Sequence, residues 1–154
     1  MNKWLLMTAI LIGIISGGCS NNGMTGEKPP DVILKANDKA YETTLGSYCW
    51  TGWREGVCVD TVGPVEILED ENPVQVKPGE KVILEMDYEL KPNESHVTQI
   101  NGNKETDILL ENNHFLAPME KGIYYYAYSV NWMDEKETDV SKGDAFYVFS
   151  LEVK

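Results

Sequence analysis

The chain is poor in positive charge. Its 154 residues include 13 lysines and arginines against 25 aspartates and glutamates, a formal net charge of −12. The sequence shows no basic stripe that would neutralise phosphates, which argues against nucleic acid as a partner. The same deficit argues against electrostatic docking onto anionic lipid. An acidic surface serves solubility or attracts a cationic partner or a divalent metal, and we favour solubility.

Catalytic and metal-binding signatures are also missing. The two histidines are far apart, and the chain contains no Gly-x-Ser-x-Gly, His-Glu-x-x-His or phosphate-cradling glycine loop. Ser95 and His96 are adjacent, but neighbours in a strand point to opposite faces and do not readily share a proton. The acidic runs at 69–71 and 134–139 lack the ligand spacing of a calcium loop, so we interpret them as solvated. The sequence predicts no enzyme, no metal site and no cofactor.

The longest apolar run is short and lies at the amino end. Lys3 precedes an uncharged, almost wholly apolar segment from Trp4 to Ile15, and small residues then lead to Cys19. Twelve residues span about 18 Å as a helix, too short for a hydrocarbon core of roughly 30 Å. The charged, apolar and small-residue order predicts a signal peptide over residues 1–18.

The segment Ser16-Gly17-Gly18-Cys19 resembles a bacterial lipoprotein lipobox, with Ser16 where leucine is usual. The resemblance implies cleavage before Cys19 and attachment of acyl chains such as palmitate to that residue. The protein would then be held at the membrane through lipid, on the outer face of the cytoplasmic membrane in a Gram-positive cell. The alternative is an uncleaved anchor in which Cys19 is structural.

Two further cysteines, Cys49 and Cys58, form an even pair in an exported chain, which predicts a disulfide. Runs of β-forming residues flank a loop with glycine near each end, and this pattern indicates a hairpin. If Cys49 opposes Cys58, then Trp50 opposes Val57 and the bridge runs straight across the strands. A redox pair would prefer a Cys-x-x-Cys spacing, and a zinc site would need both histidines as well as both thiols.

Apolar periodicity indicates strands throughout the rest of the chain. Residues 81–90 carry apolar side chains at every second position, and Asn101-Gly102 is a strong turn signal. Several short strands separated by turns predict an all-β fold, a single antiparallel β-sandwich over residues 31–154. Polar residues 19–30, with glycine and proline, predict a flexible tether. The predicted core contains Val82, Leu84, Met86, Tyr124, Tyr126, Phe149 and Leu151.

Two segments resemble immunoglobulin-like domains. The run Glu120-Lys121-Gly122-Ile123-Tyr124-Tyr125-Tyr126 is similar to the start of strand F, where a tyrosine hydroxyl bonds to upstream backbone, and Tyr124 takes that position. The run from Pro78 to Met86 is similar to the entry into strand B. The resemblance implies an immunoglobulin-like architecture in which Met86 and Tyr126 replace the usual inter-sheet disulfide.

A wider resemblance covers most of the chain after Cys19. The segments Leu45-Gly46-Ser47-Tyr48-Cys49-Trp50 and Gly56-Val57-Cys58-Val59-Asp60 look like small uncharacterised lipoproteins of Bacillus-type bacteria. So does the ending Gly143-Asp144-Ala145-Phe146-Tyr147-Val148-Phe149. The resemblance implies the location and the fold, and it implies no activity.

The predicted function is a non-catalytic binding or accessory module at the cell envelope, with an envelope protein or a glycan as partner. Exposed tryptophan and tyrosine side chains anchor protein partners and stack on sugar rings. Trp53 in the hairpin loop is the predicted centre of this surface, aided by Arg54 and Trp50. Trp53 as a lid over its own hairpin is an open alternative. An extracytoplasmic enzyme or inhibitor with a loop-built site is the alternative function.

Overall fold

The structure, a computed structural model, describes residues 24–52, 55–102, 104–134, 136–137 and 139–154. The predicted signal peptide, Cys19, Trp53 and Arg54 lie outside these ranges, so the predictions made for them stay predictions. Within the ranges described, no helix has both the length and the apolar character needed to cross a membrane.

The described chain forms strands and one short helical turn. In chain order these elements are β1 (Val32–Ala36), β2 (Lys39–Glu42), β3 (Thr44–Thr51), β4 (Gly56–Val59), α1 (Pro64–Ile67), β5 (Val74–Val76), β6 (Lys81–Met86), β7 (Glu94–Asn101), β8 (Lys104–Ile108), β9 (His114–Leu116), β10 (Gly122–Met133) and β11 (Ser141–Val153).

The strands of the described residues build two sheets. The first sheet has the order β2-β1-β6-β9, and the second has the order β4-β3-β11-β10-β7-β8. β5 lies parallel to the end of β11, whereas the other strand pairs are antiparallel. The two sheets pack face to face around one hydrophobic core. This arrangement confirms the predicted all-β sandwich.

The core contains the inward-facing residues of both sheets. Along β10, every second residue from Tyr124 to Trp132 is buried, as expected for a strand with one face on the core. Tyr126 stacks on Phe149 at a centroid distance of 5.1 Å. Six of the seven predicted core residues are buried, and Met86, at the end of β6, is half-buried against the same cluster.

A hydrogen bond fixes the entry into β10. The Tyr124 hydroxyl donates to the carbonyl oxygen of Glu120 at 3.0 Å, which confirms the predicted bond to upstream backbone. Gly122 precedes it with φ 155°, and Tyr124 carbons lie 3.5 and 3.7 Å from where a Cβ on Gly122 would stand.

β6 is shorter than the period-two pattern predicts. The strand ends at Met86, and the chain then turns so that Tyr88 packs against two tryptophan rings. Its centroid lies 5.8 Å from Trp50 and 6.2 Å from Trp132. In the sequence, the alternation of apolar residues continues to Leu90, which is exposed in the structure. The pattern alone cannot distinguish a strand from an extended turn that carries an aromatic residue into the core.

The chain packs against the sandwich before the predicted domain boundary at residue 31. The Met24 side chain is buried in the core cluster, and its backbone N–H donates to the Thr51 carbonyl at 3.0 Å. Tyr88 donates its hydroxyl to the Thr25 carbonyl at 3.0 Å, and Pro29 is fully buried. The described part of the predicted tether therefore belongs to the domain, since its isolated apolar residues fill the open end of the core.

Three buried tyrosines are expected to make the fold sensitive to alkali. Burial raises the pKa of Tyr126, Tyr128 and Tyr147 above the ordinary value near 10. The unfolded chain therefore releases these protons first, so the folding free energy is intact below about pH 10 and decreases as the pH rises above it. Denaturant titrations between pH 8 and 11 should show that the free energy of unfolding decreases with pH, and Tyr126→Phe should make this decrease shallower. If the substitution leaves the pH dependence unchanged, Tyr126 does not contribute to the alkali sensitivity.

Candidate functional site

The two cysteines lie where the sequence predicts. Cys49 on β3 faces Cys58 on β4, and their sulfurs are bonded. Trp50 faces Val57, as expected for a bridge running straight across the hairpin. The disulfide thus closes the hairpin whose loop includes Trp53 and Arg54. The structural prediction for this pair is confirmed.

Trp50 does not contribute to a binding surface, which corrects the prediction made for it. Its side chain is only 1% exposed, and its ring meets Trp132 edge-on at a centroid distance of 5.0 Å. The indole N–H donates to the Gly26 carbonyl at 3.2 Å. A Cβ on Gly143 would lie 2.7 Å from the Trp50 ring, so glycine is required beneath it. Pairing to β11 turns this side chain into the core.

The acidic runs behave as structured loops in the residues described. Glu71 accepts a hydrogen bond from the Thr44 hydroxyl at 2.8 Å. Asp134 accepts hydrogen bonds from the Lys142 ammonium and from the backbone N–H groups of Lys136 and Glu137, which lower its pKa to about 2. Within the described ranges, no three histidine, cysteine, aspartate or glutamate side chains are grouped as metal ligands.

The histidines lie on different sheets. His114 is half-buried at the start of β9, opposite Ile83 of the first sheet. His96 is exposed on β7 of the second sheet, opposite Ser129. Ser95 pairs with Val130 of β10 and points to the other face of the sheet. The sequence correctly separates Ser95 from His96, but it does not reveal what His96 faces.

His96 lies in a groove on the outer face of the second sheet, with a volume of about 270 Å³. We call it the polar groove. Its lining residues come from four strands, β3, β7, β10 and β11, and are Ser47, Glu94, His96, Ser129, Val130, Asn131, Asp144, Ala145 and Phe146. α1 lies near β3, β10 and β11, and Leu68 directly after it is buried, so this segment lies over part of the same sheet.

Strand register sets the spacing of the polar groups. Asn131 of β10 pairs with Glu94 on one side and with Asp144 on the other. Two strand spacings place the two acidic backbones about 10 Å apart. Among the described residues, neither carboxylate bonds to His96 or to the other. The register therefore places Glu94 and Asp144 on either side of Asn131, on the same face of the sheet.

Phe146 supplies an aromatic surface in the polar groove. Its ring lies directly over Gly46, where an added Cβ would be 2.2 Å from the nearest ring carbon. The register of β3 against β11 shifts between Ala145 and Tyr147, which brings the backbone of Gly46 under the ring. Glycine is needed at position 46 for this close approach.

One groove wall is fixed by a loop. The backbone N–H of Thr61 donates to the Ser47 hydroxyl oxygen at 2.9 Å, and that hydroxyl donates to the Asp60 carboxylate at 3.0 Å. On the other side, Ser141 donates to the Asn131 side-chain oxygen at 2.7 Å. These bonds hold two groove-lining side chains before any ligand arrives, which lowers the ordering cost of binding.

Comparison with protein-family models, with curated proteins and with solved structures found no match to this chain. Functional inference therefore depends on the geometry of the described residues.

Proposed function

We propose that this protein is an exported lipoprotein whose sandwich domain acts as a non-catalytic glycan-binding module at the cell envelope. The observation that carries the proposal is the polar groove, which combines hydrogen-bonding side chains with the Phe146 ring. Carboxylates and amides bind sugar hydroxyls, and aromatic rings pack on the apolar faces of sugars. A neutral glycan also suits an acidic protein, because it is not repelled by a net charge of −12.

The docked amino end supports a position close to the membrane. Met24 is the fifth residue after Cys19, and that length of chain reaches at most about 18 Å. If Cys19 carries the lipid, the end of the sandwich around Trp50 and Trp132 faces the membrane. The polar groove opens on the side of the domain near this end, since Asn131 and Asp144 adjoin the pair Trp132 and Gly143.

We also propose an immunoglobulin-like topology. With β6 to β11 taken as strands B, C, C′, E, F and G, the second sheet has the neighbours G-F-C-C′ and the first sheet pairs B with E. The hydrogen bond of Tyr124 supports the assignment of β10 as strand F. Strands β1 to β4 then form an amino-terminal addition that carries the disulfide hairpin.

A hydrolytic enzyme is the second candidate function. It is favoured by one observation, the presence of His96, Glu94 and Asp144 in the same groove. A histidine and two carboxylates are residue types used in acid–base catalysis. Binding is favoured over this alternative because the Phe146 ring offers a face on which a sugar can pack. Product formation from wall glycan, abolished by Glu94→Gln and by Asp144→Asn, would establish the enzyme instead.

The binding proposal is tested with groove variants of the mature protein and enzymatically solubilised cell-wall glycan. We expect Phe146→Ala and Asp144→Asn each to weaken binding by about tenfold or more, because each removes a contact worth about 1.4 kcal/mol or more. Gly46→Ala should weaken binding as well, since its Cβ displaces the Phe146 ring without altering any polar group. Titration calorimetry gives the dissociation constants.

The matched controls lie away from the polar groove. Asp87→Asn makes the same chemical change in the exposed segment after β6, and Leu116→Ala removes an exposed apolar side chain from the first sheet. Both should bind glycan as the unmodified protein does. Equal affinity across groove variants and controls would refute the polar groove as the binding site. The contribution of Trp53 and Arg54 stays a prediction, tested by Trp53→Ala in the same titration.

A further inference from the structure

Two turns are clamped together at the end of the sandwich opposite Met24. Asn37 and Asp38, both with positive φ, connect β1 to β2, and residues 77–80 lead into β6. The Glu80 carboxylate accepts from the backbone N–H of Asn37 at 2.7 Å and from that of Lys77 at 2.8 Å. The Asn37 side chain donates to the Gln75 carbonyl at 2.7 Å. The two turns therefore form one rigid frame.

Four lysines surround a groove built on this frame, which we call the lysine groove. Its volume is about 750 Å³, and it is lined by Lys35, Ala36, Asn37, Asp38, Lys39, Ala40, Lys77, Pro78, Glu80, Lys81 and Ile83. Lys35 pairs with Glu85 at 2.6 Å. In the part of the chain that the structure describes, Lys39, Lys77 and Lys81 make no ion pair.

The charge of the lysine groove is opposite to that of the whole protein. Four of the chain's twelve lysines line it, although the chain carries a net charge of −12. Of the two acidic residues in the lining, Glu80 already has both carboxylate oxygens bonded to backbone N–H groups. The other, Asp38, makes no side-chain hydrogen bond and no ion pair within the described residues. The net local charge is therefore positive.

We propose that the lysine groove binds a phosphate-bearing polyanion. Lysine ammonium groups bind phosphate as compact point charges. Lys35 of β1 pairs with Ile83 of β6, so Lys81, two residues before Ile83, is the diagonal neighbour of Lys35. The side chains of diagonal neighbours begin about 7–8 Å apart. Flexible arms at this spacing can contact two phosphates of one chain.

The position of the lysine groove suits a soluble polymer. β1 begins at Val32, which pairs with Met86 close to Tyr88 and Thr25, and it runs away from them toward Asn37. Five residues of strand place the lysine groove about 16 Å from that end. A polyanion approaching from outside would meet this end without the acidic remainder of the domain in front of it. The approach from outside rests on the proposed lipid anchor, whereas the binding itself depends neither on the anchor nor on glycan binding.

The test measures binding of linear polyphosphate and of a phosphodiester oligomer to the mature protein at several salt concentrations, with inorganic phosphate as the single-charge reference. We expect Lys77→Gln combined with Lys81→Gln to weaken polyphosphate binding by about tenfold at low salt. The slope of log affinity against log salt should decrease by about two, one for each lysine removed. Stronger binding of one polymer identifies the source of the phosphate groups.

The matched control combines Lys104→Gln with Lys136→Gln, two exposed lysines outside the lysine groove. It changes the net charge by the same amount as the groove variant. If net charge alone governed binding, both variants would lose the same affinity. Because the control leaves the lysine groove intact, we instead expect it to lose less than about threefold in affinity and to keep a nearly unchanged salt slope. Equal weakening by both pairs, no binding of either polymer at low salt, or inorganic phosphate binding as tightly as the polymers would overturn the proposal. None of these results bears on glycan capture by the polar groove.

Discussion

Trp50→Ala is expected to destabilise the fold by about 3–5 kcal/mol, the usual cost of removing a large buried aromatic side chain. Trp50 packs edge-on against Trp132 and is close to Tyr88, while Gly143 leaves room for its ring from below. Alanine would leave a cavity at the end of the core where the amino-terminal segment docks. The indole bond to the Gly26 carbonyl would also be lost.

Chemical denaturation measures this effect directly. Met119→Ala is a suitable control, because that side chain is large and apolar but 74% exposed, and its loss should change stability by less than about 0.5 kcal/mol. Trp50→Phe should fall between the two. If Trp50→Ala lowers the free energy of unfolding by less than about 1 kcal/mol, Trp50 is not the core residue described above, and the prediction that it lies on the binding surface stands again.

Cys19→Ala is expected to abolish membrane attachment. Each methylene of an acyl chain that enters the bilayer contributes about 0.8 kcal/mol, and the domain itself has no other anchor in the proposal. Cells fed a labelled fatty acid should incorporate it into the unmodified protein and not into the variant. Detergent-phase partitioning should shift to the aqueous phase in the same comparison.

The other two cysteines provide the control for that experiment. Cys49→Ser combined with Cys58→Ser removes both remaining cysteines, yet it should still incorporate the label, because acylation needs only Cys19 and the segment before it. Label that persists in Cys19→Ala, or label that disappears in the double variant alone, would show that the lipid is attached elsewhere.

The sequence was a good guide to the features that depend on neighbours along the chain. The alternation of apolar residues predicts the core positions Val82, Leu84 and Tyr126, and the spacing of the two cysteines predicts the register of the hairpin. Both follow from local rules, since strand geometry repeats every two residues and a hairpin pairs residues across one turn.

Features that depend on distant pairing could not be predicted. Trp50 is next to an exposed loop in the sequence, and its burial follows from the pairing of β3 with β11, almost a hundred residues away. The polar groove needs the registers of four strands, and the lysine groove needs β1 beside β6. For the lysine groove, the sequence signal was the presence of lysines on both sides of two turns. For the polar groove, it was Phe146, an aromatic residue shortly after Asp144.

Chemical-shift mapping tests the central claim most directly. Isotope-labelled mature protein is titrated with solubilised wall glycan while its backbone amide signals are recorded. Saturable shifts should concentrate at His96, Ser129, Asn131 and Phe146, with little change at the lysine groove. Shifts clustered elsewhere, or no shift at millimolar glycan, would contradict a glycan-binding module built on the polar groove.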